Sequence, residues 1–85
     1  MQFALFFLTF IGYTSATTWC VQCVQNGRVT GYTPVCCSYA GGSLSNNICR
    51  ITDFTGFNPV DKKFGPCCTA SNTRKGYSTN YLDDC

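Results

Sequence analysis

The chain has no histidine, no glutamate, one tryptophan and one methionine, and its 85 residues carry only six Lys or Arg and four Asp. Without histidine, the side chain that titrates nearest neutral pH is missing, and with it the commonest metal ligand. Without glutamate, any acid/base chemistry rests on Asp53, Asp61, Asp83 and Asp84. Asp83 and Asp84 are adjacent and point to opposite faces of an extended chain, so they do not converge on one substrate. A closed zinc site would have to be all-cysteine. No catalytic residues, metal or cofactor are expected, and we read the chain as a non-enzyme.

Long apolar runs are also missing. Phe3 to Ile11 is apolar apart from Thr9, short of the roughly 20 residues that span a bilayer. Gly12, Thr14, Ser15 and Ala16 follow, and Thr14 with Ala16 fits the small-x-small pattern of a secretory cleavage site. We therefore expect residues 1–16 to be a secretory signal peptide and residues 17–85 to form one domain.

Cysteine is abundant. All eight lie from Cys20 onward, about 12% of the residues after the expected cleavage, a density that marks a secreted disulfide scaffold. So short a chain builds a marginal core, and disulfides compensate. The net charge of +2 suits a soluble extracellular protein and implies little more.

Cys20, Cys23, Cys36, Cys37, Cys49, Cys67, Cys68 and Cys85 are spaced C-x2-C-x12-CC-x11-C-x17-CC-x16-C. Adjacent cysteines rarely bond each other, which leaves about 78 of the 105 possible pairings. Each doublet is instead a cross-link node tying one segment to two neighbours. C-V-Q-C at Cys20 to Cys23 lies in a strand pattern, without the helix N-terminus that a redox motif uses, and reads as two structural half-cystines.

The strongest local signal is TWCVQCVQ, Asn26-Gly27, then RVTGYTPVCC, a β-hairpin with a type I′ turn. It sets Gln25 opposite Arg28, Val24 opposite Val29, Val21 opposite Tyr32 and Trp19 opposite Pro34. One face carries Trp19, Val21, Cys23 and Tyr32 towards Cys36. The other carries Cys20, Val24, Val29 and Val35 towards Cys37. Pro34 implies an edge or a bend. This register puts Cys36 and Cys37 about 20 Å and 13 Å from the partners of Cys23 and Cys20, so both should bond to later cysteines.

Further on, Gly41-Gly42 and Asn46-Asn47 mark turns, ICRIT (residues 48–52) a strand, SNTRKG (residues 71–76) a turn, and YSTNYLDDC a last strand. No segment shows helical periodicity with caps. CCSYA and CCTA are alike, but no period continues from them, and we read the likeness as chance. The expected fold is a small, disulfide-rich, mainly β protein with irregular loops and four disulfides.

Two basic pairs, Lys62-Lys63 and Arg74-Lys75, lie in loop-like sequence. Neither is long enough for a nucleic-acid patch, and any contact with a membrane surface would be weak. The segment DFTGFNPVDKKFGP combines Phe54, Phe57 and Phe64 with Lys62 and Lys63. Aromatic anchors beside basic groups suit a partner-binding surface, and these five residues are the expected contact loop.

A short MQF-type leader, a small mature chain and paired cysteine doublets resemble the fungal small secreted cysteine-rich proteins. The resemblance implies a secreted monomer acting as an effector or toxin, a virulence function towards a host or extracellular protein; antimicrobial or protease-inhibitory action are alternatives. The eight cysteines with two doublets also resemble hydrophobins, and Cys36-Cys37-x11-Cys49 is similar to their spacing. The hydrophobin order is C-CC-C-C-CC-C, whereas here it is C-C-CC-C-CC-C. That likeness implies a surface-active structural protein as a further alternative.

Overall fold

The computed structural model describes residues 16–85. Apart from Ala16, the expected signal peptide lies outside the described residues.

Strand β1 (Thr17–Gln25) turns at Asn26-Gly27 into the two-residue β2 (Arg28–Val29). Asn26 (φ 51°) and Gly27 (φ 86°) supply the positive φ pair of a type I′ turn, and Val24 faces Val29 as expected. There the hairpin stops. Helix α1 (Tyr32–Tyr39) replaces the anticipated second strand, so neither Val21–Tyr32 nor Trp19–Pro34 pairs. Beyond β2 the Thr30 N–H still donates to the Cys23 carbonyl (2.9 Å), but the Cys23 N–H finds its partner in a side chain. Buried Thr33 accepts a hydrogen bond from the Cys23 N–H (2.9 Å) and donates to the Cys23 carbonyl (3.2 Å). Pro34 sits in the first helical turn, where a missing N–H costs nothing.

A hairpin follows: β3 (Ser43–Ser45), a turn at Asn46-Asn47 with both φ positive, and β4 (Ile48–Asp53). After a loop, a π-helical turn (Val60–Phe64) runs into α2 (Gly65–Thr69). Thr69 ends it, three left-handed residues (Ala70, Ser71, Asn72) reverse the chain, and β5 (Tyr77–Leu82) closes the sheet. Pro59 and Pro66 also stand at helical starts.

β5 pairs with one side of β1, and β4 with the other, and β3 lies outside β4, all antiparallel. Setting β2 aside, the order β5-β1-β4-β3 is a β-α-β-β-α-β arrangement in which each helix links two strands separated by a third. The fold is thus mainly an antiparallel sheet, with both helices on one face. The core between them holds Val21, Cys23, Cys49 and Ile51 from the sheet and Cys36, Cys37, Val60, Phe64 and Cys68 from the helical layer. The other face is polar apart from the buried Cys20 and Val24: Thr18 and Thr52 share a hydrogen bond across β1 and β4, and Gln22 Nε2 donates to the Asn47 carbonyl.

The disulfides are Cys20–Cys85, Cys23–Cys68, Cys36–Cys67 and Cys37–Cys49. As expected, neither doublet bonds internally and Cys36 and Cys37 both bond to later cysteines. The doublets lie on helices, however, not on strands, so both members of the first enter one core instead of opposite sheet faces. CCSYA and CCTA occupy equivalent places in the two βαβ halves. Exchanging α1 with α2 and β1 with β4 turns Cys37–Cys49 into Cys68–Cys23 and leaves Cys36–Cys67 as the bridge between halves.

Gly42 sets the approach of the α1–β3 connection to β4. A Cβ there would lie 2.7 Å from Cys49 Sγ and 2.9 Å from the Arg50 carbonyl oxygen, contacts that only glycine avoids.

Candidate functional site

The loop leaving β4 is organised by one carboxylate. Asp53 is buried, and its Oδ1 accepts from the Thr55 hydroxyl (2.8 Å) and N–H (3.2 Å) while Oδ2 accepts from the Asn58 N–H (3.2 Å). Burial alone would raise this carboxyl. The hydrogen bonds from the Thr55 side chain and from the Asn58, Thr55 and Gly56 amides outweigh it and hold the group below the ordinary carboxylate value. Asn58 passes the order on: its Oδ1 accepts from the Asp61 N–H (3.1 Å), capping the helical segment. The Thr55 hydroxyl meanwhile accepts from the Phe57 N–H (3.2 Å). Asp53, Thr55 and Asn58 thereby fix where Phe57 stands.

The π-helical turn then sorts the expected contact residues. Val60 and Phe64 go into the core, Phe64 with no exposed surface. Phe64 is therefore a packing residue and leaves the contact set, because the helical turn that exposes Lys62 must bury the position two residues on. Phe54 and Phe57 are exposed. The Lys62 ammonium lies 5.4 Å from the centre of the Phe57 ring, and the Lys63 ammonium 5.4 Å from that of Tyr39.

Tyr39, which sequence reasoning did not single out, is 60% exposed on α1, as is Val35. Both flank an open cleft of about 370 Å³ completed by Pro66, Cys67 and Ser71. Helical spacing would have found them: with Cys36 and Cys37 facing inward, Val35 and Tyr39 share the opposite side of α1. The helical layer thus presents one strip from Phe57–Lys62 to Tyr39–Lys63 and Val35.

A second open cleft, about 450 Å³, is lined by Asp61, Gly65, Pro66, Thr69, Ser71 and Asn72. Both clefts reach the volume of small-ligand pockets. What the second lacks is convergent chemistry, since Asp61 is its only titratable side chain. All eight cysteines are in disulfides, so the Cys20–Cys23 pair offers no thiol for redox or metal chemistry.

The other basic pair divides. Lys75 is exposed, whereas Arg74 is half-buried, with its guanidinium carbon 3.8 Å from the centre of the Tyr32 ring and 5.6 Å from that of Tyr77. Arg74 also donates to the Cys67 (2.9 Å) and Cys68 (3.0 Å) carbonyls at the end of α2, where helix carbonyls lack partners. Arg74 is a structural staple.

No family model matches the chain, and no curated protein or solved structure matches it either. A chain held by four disulfides belongs to an oxidising compartment, and no helix among the described residues is long and apolar enough to cross a membrane.

Proposed function

We propose that this chain is a secreted, non-catalytic binding protein whose strip of Phe57, Lys62, Lys63, Tyr39 and Val35 docks on an acidic surface of an extracellular or host protein. This is the role implied by its resemblance to fungal secreted effectors. The observation that carries the reading is the pairing of two lysines with two exposed aromatic rings on a layer stapled from beneath. Rings spread over by ammonium groups keep apolar area soluble in the free protein and offer both anchor and charge to a partner. The staples reduce the ordering cost of docking.

A film-forming role is less well supported. The exposed aliphatics Val29, Val35 and Leu44 lie on three different elements, whereas surface activity calls for one broad apolar patch.

The test is binding of the labelled, oxidised protein to host tissue. A variant carrying Tyr39→Ser, Phe57→Ser, Lys62→Ser and Lys63→Ser should bind at least about tenfold more weakly with its disulfides intact. A control with Thr52→Ser and Asn80→Ser on the polar sheet face should bind as the parent does. Equal binding by strip variant and parent would refute the assignment.

A further inference from the structure

The free edge of β5 is the least protected part of the sheet. β3 is three residues long and β2 two, too short to template another chain. β5 offers six residues, YSTNYL, with no charge, proline or bulge within it, and those are the devices by which edges avoid association. The outward row can be identified. The Asn26 N–H donates to the Gly76 carbonyl, so residues 76, 78, 80 and 82 bond to β1 and the backbone groups of Thr79 and Tyr81 point away from it. Neither has a bonding partner on that side among the described residues. Tyr81 is also 57% exposed, although its partner in the ladder, Val21, is wholly buried.

The flanking charges have opposite signs. Lys75 stands just before the strand and Asp83-Asp84 just after it, all exposed, and the Cys20–Cys85 disulfide tethers the acidic end to β1. A strand that is basic at one end and acidic at the other is self-complementary in antiparallel pairing and self-repelling in parallel pairing.

We infer that β5 is a self-association edge, through which two copies pair antiparallel about a two-fold axis at Thr79. This register sets Tyr77 of each copy opposite Tyr81 of the other, where the Tyr77 carbonyl accepts from Tyr81 while the Tyr77 N–H stays with the Arg74 carbonyl (3.4 Å), and brings Lys75 beside Asp83 of the second copy. It covers the exposed Tyr81 ring and joins the two sheets into one. A single strand edge buries less than the roughly 1,200 Å² of a standard interface, so the dimer is weak and salt-sensitive.

The test is sedimentation of the oxidised chain from micromolar to millimolar concentration at low salt, with two variants at exposed positions. Lys75→Asp and Asp83→Lys should each raise the concentration of half-association about tenfold, since each homodimer then opposes like charges twice. An equimolar mixture of the two should return to near the parent value, because the mixed dimer restores both opposite-charge contacts. A folding defect cannot produce that rescue. A parent that stays monomeric at millimolar concentration, or variants whose mixture is no better than either alone, would overturn the inference. Monomers whose Thr79 and Tyr81 amides shift only when an extended segment of another protein is added would overturn it in favour of a foreign strand.

Discussion

Cys36 and Cys67, the leading members of the two doublets, are bonded to each other across 31 residues, with Cα atoms 5.6 Å apart. Each therefore sits on a different helix, and their neighbours Cys37 and Cys68 fasten those helices to β4 and β1. The helices are joined to each other at one point and to the sheet at two, all near the centre of a small core. A rigid platform follows, on which side chains such as Tyr39 and Lys63 hold position without a large apolar interior beneath them.

Thr33 shows how the fold ends its first hairpin. Its hydroxyl takes the place of a strand at Cys23, so Thr33→Val should leave the buried Cys23 N–H without a partner. That costs about 1–3 kcal/mol, measurable as a lower denaturation midpoint with unchanged slope. Thr33→Ser, which keeps the hydroxyl, should retain most of the stability. Equal losses in both variants would assign the effect to packing.

The same region marks the limit of what was legible. The Asn26-Gly27 turn, the strand of Ile48 and Cys49, the last strand and the forward bonding of Cys36 and Cys37 could all be read, because turn residues and alternation report local geometry. Helix α1 could not be read while its cysteines were treated only as cross-links. Counted as apolar residues, Thr33, Cys36, Cys37 and Ala40 fall at i, i+3, i+4 and i+7, and all four are buried. In the second half Val60, Phe64 and Cys68, at i, i+4 and i+8, line up on one helical face in the same way and are likewise buried. The contact strip was half legible for the same reason: Phe54, Phe57, Lys62 and Lys63 are on the surface, but Phe64 could be placed inside and Tyr39 beside Lys63 only once both segments were helical.

Arg74 should resist conservative replacement. Lysine cannot stack as a plane on Tyr32 while donating to two carbonyls, so Arg74→Lys should lower stability by about 1–2 kcal/mol. Lys75→Ala, one residue on, should lie within about 0.5 kcal/mol of the parent. Thermal unfolding of the two variants side by side checks the contrast. Comparable losses would contradict the structural role assigned to Arg74.

Asp53 makes the contact loop sensitive to acid. Its carboxyl is held below the ordinary value, so it contributes order that is complete above the unfolded value of about 3.9 and is lost as pH falls through the lower folded value. Amide signals of Thr55 and Asn58 should stay constant from neutral pH to about pH 4 and move together below it. Asp53→Asn should abolish that step and loosen Phe57 at every pH. Movement of both signals at higher pH would contradict the clamp.

The account stands most directly on the pairing of the cysteines. Partial reduction with stepwise alkylation, followed by fragmentation that cleaves between the two members of each doublet, reads it without ambiguity. The account predicts Cys20–Cys85, Cys23–Cys68, Cys36–Cys67 and Cys37–Cys49. Exchange within a doublet, with Cys36 bonded to Cys68 or Cys37 to Cys67, would break the correspondence between the two halves. The stapled helical layer, and the binding strip built on it, would then have to be redrawn.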